Sequence, residues 1–267
     1  MHKQISSTQN QYIKELFQLK EKSKVRKKTQ TFLIEGLREI SLALKGGYQI
    51  QTVLVDASII SDEKINGLLN STESSIEVIE ISKDIYKKLA LRESTEGVLA
   101  VATAKDLSLK SIQFNNPNPL ILVAEAPEKP GNIGALLRTA DAAGIDTVLI
   151  ANPKTDIYNP NIIRSSVGCV FTTNIATGST SEIIAFLIEK NINIYGAALT
   201  ASVEYQTINY KQPSAIIVGT EATGLSKDWL DNSTNNIIIP MRGAIDSMNV
   251  SVSAAIILFE AVRQRNS

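Results

Sequence analysis

A series of apolar runs, each followed by a helix-length stretch, constrains this chain more than any other feature. The runs are PLILVAE (119–125), DTVLIAN (146–152), FTTNIA (171–176), INIYGAAL (192–199), AIIVG (215–219) and NIIIP (236–240). Most are continuous rather than alternating. That is the pattern of strands covered on both faces, as in a parallel sheet with helices on each side. Helices fit at 132–143, 160–167, 180–190, 225–231 and 249–265. The last has apolar residues at 254, 257, 258, 261 and 262, a helical stripe that begins with two small alanines and suits close helix contact. The first part of the chain alternates too, with helices predicted over 8–22, 36–45, 62–69 and 82–90. Strands are predicted over 32–35, 51–56, 76–81 and 97–103. Between the two parts, SLKSIQFNNPNP (108–119) is polar and rich in Asn and Pro, and reads as a linker. The expected organisation is α/β throughout: a first domain over 1–107, a linker over 108–118, and a second domain with a parallel sheet over 119–267.

Cysteine and histidine usage narrows the chemistry. The single cysteine, Cys169, excludes an internal disulfide and fits a reducing cytoplasm. The single histidine, His2, sits at an expected frayed end, so His-based metal clusters and Ser-His-Asp catalysis are not expected. No apolar stretch is long enough to span a membrane, and the first residues lack the apolar core of a secretory signal.

Net charge is zero but unevenly spread. Residues 1–30 hold eight basic groups and two acidic ones; the rest of the chain holds 19 basic and 25 acidic. A basic leader on an acidic body is an electrostatic footprint for a polyanion, through sequence-independent phosphate contact. Lys24, Arg26, Lys27 and Lys28 are its densest run, and Arg38 follows. A solvated helix face is the alternative reading of the same charges.

In open α/β sheets, ligands bind beyond the carboxyl ends of strands. Three loops there carry special residues. In AEAPEKPGNIGALLRTADAAG (124–144), Gly131 and Gly134 allow close backbone approach, Asn132 suits a helix N-cap, and Arg138 falls on a flank of the helix. Arg138 suits phosphate or ribose recognition, or a local pair with Asp141. In IIVGTEATGLS (216–226), Gly219 and Gly224 have nearly the spacing of a P-loop. Leu225 stands where that motif needs lysine, which argues against a nucleoside triphosphate and suits a less anionic adenosine ligand. Glu221 in this loop is a candidate functional carboxylate. In IIIPMRGAIDSMNVSVSAA (237–255), Ser247, Asn249 and Ser251 gather where the last helix opens, as caps or as site residues. A dinucleotide-binding fingerprint is absent: Gly131 and Gly134 lack the G-x-G-x-x-G spacing.

Taken in order, these three segments resemble the motifs of the SpoU (TrmH) branch of the SPOUT RNA methyltransferases. The first runs from Asn132 through Gly134 and Arg138 to Gly144. The second runs from Ile217 through Gly219, Glu221 and Gly224 to Ser226. The third joins Ile239, Pro240 and Met241 to Ser247, Met248, Asn249, Val250 and Ser251. The resemblance covers about 119–267, and FLIEGLREISLALKGG (32–47) is similar to the start of the family's N-terminal substrate-binding domain. Met248 stands where many members have leucine, a volume-conserving change, and Ser253 where alanine is usual.

The resemblance implies a deep trefoil knot in the second domain and a homodimer packed through the knot region and the C-terminal helix. It also implies S-adenosylmethionine held largely by backbone groups, and methylation of a ribose 2′-hydroxyl in structured RNA. Carried over residue by residue, Gly219, Gly224, Leu225, Ile239, Met248 and Ser251 would hold the cofactor. Arg138, Asn132, Glu221, Ser247 and Asn249 would form the catalytic set. Lys24, Arg26, Lys27, Lys28 and Arg38 would contact RNA; no metal is implied. Since a guanidinium stays protonated at physiological pH, Arg138 is expected to grip phosphate and stabilise the developing alkoxide rather than act as a simple base. The extra N-terminal domain favours ribosomal over transfer RNA as substrate. A transfer-RNA ribose methyltransferase, or a non-catalytic RNA-binding protein of the same fold, are the alternatives.

Overall fold

A computed structural model describes residues 3–69, 76–91, 96–200, 202–244 and 246–267; His2 lies outside them. In chain order the elements begin β1 (Lys3–Ile5), α1 (Gln11–Glu21), α2 (Ser23–Thr29), β2 (Thr31–Glu35), α3 (Leu37–Lys45) and β3 (Ile50–Val55). There follow α4 (Asp62–Leu69), β4 (Glu77–Ile81), α5 (Lys83–Leu89), β5 (Val98–Thr103), β6 (Leu120–Glu125) and α6 (Pro130–Ala143). Next come β7 (Thr147–Ala151), α7 (Pro160–Ser165), β8 (Ile175–Gly178), α8 (Thr180–Glu189) and β9 (Asn193–Ala197). The chain closes with β10 (Val203–Glu204), β11 (Ser214–Val218), α9 (Lys227–Asn232), β12 (Asn235–Ile238) and α10 (Val250–Arg265). Two compact units result, and neither is a contiguous stretch. The first is Met1–Lys105 with Asp156–Thr172; the second is Asp106–Thr155 with Thr173–Ser267.

The first unit is a mixed sheet in the order β1-β4-β3-β5-β2, antiparallel where β5 meets β2 and β3. Its core takes Ile13, Leu16 and Leu19 from one stripe of α1, packed on Leu54, Ile79 and Leu99 of the sheet. Asn10 caps α1 through its side chain, which accepts from the Tyr12 N–H at 2.9 Å. The Asp156–Thr172 segment joins this unit through an aromatic cluster. Tyr158 stacks on Phe32 with ring centroids 4.2 Å apart, and Phe171 lies 5.2 Å edge-on from Tyr48. This cluster explains a difference from the sequence expectation. FTTNIA was expected to be a strand from residue 171, but Cys169–Phe171 is a 3₁₀ turn that delivers Phe171 to the aromatic core, and β8 starts only at Ile175.

The basic leader also differs from expectation. Arg26 is not an RNA-facing residue: it is 4% exposed, and Asp156 lies 2.5 Å from its Nη2. Its Nη1 donates to the Leu19 and Lys20 carbonyls at 2.8 and 2.9 Å. A buried charge is tolerated only when paired in this way, so the pairing takes Arg26 out of the polyanion-binding set. Lys24, Lys27 and Lys28 on the same short helix are exposed. Arg38 is exposed and donates to the buried Glu39 at 2.9 Å. Replacing Arg26 by alanine strands Asp156 and should destabilise the protein by about 3–5 kcal/mol, read as a lowered denaturation midpoint. Lys27→Ala, at an exposed site, should leave that midpoint nearly unchanged.

The second unit is a seven-stranded sheet in the order β10-β12-β9-β11-β6-β7-β8, with every pairing parallel. β6, β7 and β11 are buried along their whole length, as continuous apolar runs require. Along β6, Ile121 and Val123 face a core with Ile183 and Leu187 of α8 and Trp229 of α9. α6 and α10 pack on each other, and the stripe expected on the last helix is buried at Ala254, Ile257, Leu258 and Ala261. The 108–118 segment packs against this unit: Ile112 is buried in its core, with Leu109 and Phe114 against it. Strands leave β6 in both directions, β7 and β8 to one side and β11, β9, β12 and β10 to the other. That makes the carboxyl end of β6 the topological switch point, where a ligand crevice forms.

Candidate active site

The loops after β6, β11 and β12 meet at the carboxyl edge of the second unit's sheet, and side chains from all three motifs touch there. Glu221 is the hub. Its Oε2 accepts from Lys129 Nζ at 2.5 Å, and its Oε1 accepts from Asn132 Nδ2 at 3.0 Å and Asn249 Nδ2 at 3.2 Å. A carboxylate can only accept, so both amide nitrogens must face it, which orients the two asparagines without ambiguity. Hydrogen bonds from Lys129 and Asn132 hold the Glu221 carboxyl below its ordinary value. Its lone pairs are committed to positioning, which is not the state of a free general base. Asn249 also caps α10: its Oδ1 accepts from the Ser251 N–H at 3.0 Å and from Ser251 Oγ at 2.6 Å.

A lowered carboxyl pKa has a definite pH signature. Glu221 contributes order to the site above the usual carboxylate range near 4.3, and the contribution is lost as pH falls through its lowered value. The side-chain amide resonances of Asn132 and Asn249 should therefore stay fixed from neutral pH down to that range and shift only below it, as read by NMR titration.

Asn132 differs from its sequence expectation. It is not a cap: α6 begins earlier, at Pro130 with Lys129 in the capping position, and Asn132 lies in the first turn. That leaves its side chain available to Glu221. Arg138 is exposed and makes no ion pair or hydrogen bond with the described residues, so its guanidinium fork is open to an outside anion. Ser247 is exposed and likewise has no hydrogen bond among the described residues.

The second motif folds back on itself. Thr220 and Gly224 exchange backbone hydrogen bonds, each 3.1 Å, and the Thr223 N–H is held by Thr220 Oγ1 at 3.0 Å. A Cβ on Gly219 would lie 2.2 Å from the Gly224 carbonyl carbon and 2.6 Å from the Leu225 nitrogen. Both atoms are backbone, so only glycine closes this loop. Gly224 takes the left-handed conformation, φ +67°. Leu225 is buried, while Ile239, Met248 and Ser251 are half-buried.

Sequence reasoning missed three residues here. Lys129 completes the Glu221 cluster. Gly196 of β9 admits Leu225, since a Cβ there would come within 3.0 Å of Leu225 Cδ1. Glu125, the last residue of β6, is buried and accepts from the Ser226 N–H at 2.8 Å. No local signal distinguishes Lys129 or Gly196; the acid ending an otherwise apolar strand was the one legible clue to Glu125.

The fold and this site define an α/β enzyme of the RNA 2′-O-methyltransferase class. Residues 119–259, which carry the three motifs, match the SpoU rRNA Methylase family, and residues 10–100 match the MRM3-like substrate binding domain. The chain belongs to the SpoU rRNA methylase family, and its fold is the SPOUT trefoil-knot fold with a separate N-terminal domain. It is 31% identical over 257 residues to the 23S rRNA (guanosine(2553)-2′-O)-methyltransferase RlmP of Bacillus subtilis (strain 168), covering 96% of this chain and 98% of that protein. Among solved structures, an RNA 2′-O ribose methyltransferase is 39% identical, with a TM-score of 0.84 over 99% of this chain and 100% of that one. The SpoU methyltransferase AviRb from Streptomyces viridochromogenes, in complex with the cofactor AdoMet, is 28% identical. It superposes with a TM-score of 0.89 over 97% of this chain and 99% of that one.

The residues fit that cofactor. A loop too tight for a Cβ at Gly219, buried Leu225 and half-buried Ile239 and Met248 offer backbone amides and apolar surface. Lysine is absent from the loop's phosphate-gripping position, as suits a ligand with no phosphate.

Proposed function

We propose that this enzyme methylates a ribose 2′-hydroxyl of 23S ribosomal RNA in the cytoplasm. In this reading Arg138, Asn132, Glu221, Ser247 and Asn249 form the catalytic set. Gly219, Gly224, Leu225, Ile239, Met248 and Ser251 hold the methyl donor. The observation that carries it is the cluster in which Glu221 binds Asn132 and Asn249, uniting all three motifs beside the folded-back Gly219–Gly224 loop. The relatives' substrates support the choice of RNA: RlmP of Bacillus subtilis is named for guanosine 2553 of 23S rRNA, and a Streptomyces viridochromogenes relative, 30% identical over 243 residues, for uridine 2479.

Bound S-adenosylmethionine supplies an electrophilic methyl group on a sulfonium. The chain's task is to align the ribose hydroxyl for in-line attack and to help its proton leave. Asn132 is suited to the first task. Its Nδ2 is fixed by Glu221, and among the described residues its Oδ1 meets only a long 3.5 Å contact from Asn249, so it can accept from the incoming hydroxyl. Arg138, with a guanidinium free of partners among the described residues, grips the adjacent phosphate and stabilises charge developing on the hydroxyl oxygen. In this reading Ser247, exposed in the third motif, holds the ribose.

The first unit docks the RNA in this reading. Lys24, Lys27 and Lys28 supply exposed positive charge, and Arg38 adds an exposed guanidinium. Replacing the three lysines by alanine should weaken RNA binding and lower the salt slope by about 1 for each phosphate left without its lysine. Filter binding at two salt concentrations reads this; an unchanged slope removes the leader from the interface. A homodimer through the knot region and α10 completes the reading, supported by Phe259 and Val252, which lie 48% and 47% exposed on that helix.

The decisive experiment maps ribose methylation in RNA from a strain lacking the gene against its parent. One 2′-O-methyl site in 23S rRNA should disappear, and the purified enzyme should restore it from radiolabelled S-adenosylmethionine. Loss of a transfer-RNA site instead would overturn the choice of substrate.

A further inference from the structure

Glu125 ends β6 on the face that carries Ile121 and Val123, where the strand's alternation calls for another apolar residue. It is 6% exposed and makes no salt bridge among the described residues. A carboxyl in such a place is costly unless its oxygens are hydrogen-bonded, and both are. Oε2 accepts from the Ser226 N–H at 2.8 Å, and Oε1 accepts from Thr180 Oγ1 at 3.3 Å. Thr180 is itself held by Asn152, whose Nδ2 donates to Thr180 Oγ1 at 2.9 Å and whose Oδ1 accepts from the Thr180 N–H at 3.3 Å. The backbone around this network is unusual. Ala126 and Asn152, the residues that follow β6 and β7, both take left-handed conformations, φ +43° and +48°, while continuing the sheet through hydrogen bonds to Ala151 and Gly178. Non-glycine residues keep such conformations only where the surroundings hold them, commonly at functional sites.

The network reaches the second motif at one point. Ser226 follows Gly224 and Leu225 directly, so its backbone N–H is the last anchor of the folded-back loop. At the loop's other end, Gly219 leaves β11, which pairs with β6 itself. We propose that Glu125 is a positioning residue for the cofactor: its carboxyl ties the end of the Gly219–Ser226 loop to the switch point of the sheet and fixes the loop in the shape that receives S-adenosylmethionine. This rests on that loop's being the cofactor loop. Glu125 touches neither substrate nor Arg138 in this role. Its removal should therefore raise the KM for S-adenosylmethionine and leave the rate at saturation and the RNA affinity nearly unchanged.

The test compares full-length Glu125→Ala and Glu125→Gln with the parent. Glutamine can accept from the Ser226 N–H through Oε1 and donate to Thr180 Oγ1 through its amide, which keeps the bridge; alanine leaves the Ser226 N–H unpaired. Calorimetric binding of S-adenosylmethionine should weaken about tenfold or more for alanine and by less than about threefold for glutamine. Hydrogen exchange at the Ser226 amide should quicken in the alanine variant alone. Equal cofactor affinity in alanine variant and parent, or equal losses in alanine and glutamine variants, would overturn the proposal. If the alanine variant does not fold, Thr180→Val removes only the second anchor; a weakening of about two- to fivefold is then expected, and none overturns the idea. The parent is the control for the underlying reading: if S-adenosylmethionine gives the parent's 219–226 amides no added protection, the loop is not the cofactor loop and both readings fall. If protection appears in the parent and persists fully in the alanine variant, only the role of Glu125 is lost.

Discussion

Arg138→Ala should lower the single-turnover rate of methyl transfer by about 10²–10³-fold, the loss typical of removing one group that stabilises developing oxyanion charge. The cofactor should still bind, because the folded-back loop is closed by its own backbone and does not involve Arg138. The split follows from position. Arg138 stands exposed on the flank of α6, without a partner among the described residues, whereas Asn132, Glu221 and Asn249 are committed to one another. Structural roles are thereby minimised and the unfolding midpoint should move little. Lysine at 138 keeps the charge but not the planar fork, so Arg138→Lys should remain well below the parent rate. Radiolabel transfer in single turnover, beside calorimetric binding of the cofactor, separates the two effects. Full rate in the lysine variant would mean that a point charge suffices.

Gly219→Ala should cost cofactor binding rather than chemistry, by about 100-fold or more. The new Cβ would lie 2.2–2.6 Å from backbone atoms of Gly224 and Leu225, which cannot rotate away as a side chain would. Relief requires opening the paired hydrogen bonds between Thr220 and Gly224, and with them the loop's shape. Gly224→Ala is the informative companion. A Cβ there meets nothing within 4 Å, and the penalty is only the left-handed conformation at φ +67°. That strain is about 1–2 kcal/mol, roughly five- to thirtyfold in affinity if it falls wholly on the bound state. Calorimetry on both variants, with circular dichroism to verify the sheet, should rank Gly219→Ala well below Gly224→Ala. The reverse order would show that the loop reshapes freely and that backbone strain at Gly224 governs it.

The Glu221 cluster shows how far a local motif reaches. Each of the three segments was readable in the sequence as a loop leaving a strand and entering a helix, because glycine, proline and capping residues act over a few positions. The contact between them was not readable. Asn132 and Glu221 are joined across 89 positions and Glu221 and Asn249 across 28, and nothing local in any segment reports that its neighbour will arrive. Lys129 stayed hidden for the same reason: an exposed lysine on a loop looks alike whether it meets solvent or a carboxylate. Arg26 is the counterexample. Its neighbours Lys24, Lys27 and Lys28 made it look like part of a solvated basic run, yet a partner 130 positions away buries it.

What the sequence by itself determined was the strand-and-helix alternation, the parallel character of the second sheet and the three motifs. All of these are periodic or local, set by side-chain spacing and backbone preference over short windows. Tertiary structure alone decided that Asp156–Thr172 belongs with the first unit, that Arg26 is internal, that Asn132 serves Glu221 instead of capping a helix, and that Glu125 anchors the second motif. Except at Asn132, whose bond to Glu221 is exposed, those outcomes turn on burial. A charged or aromatic side chain goes wherever the folded chain can neutralise or cover it: Asp156 pairs with Arg26 across 130 positions, and the Ser226 N–H meets Glu125 across 101.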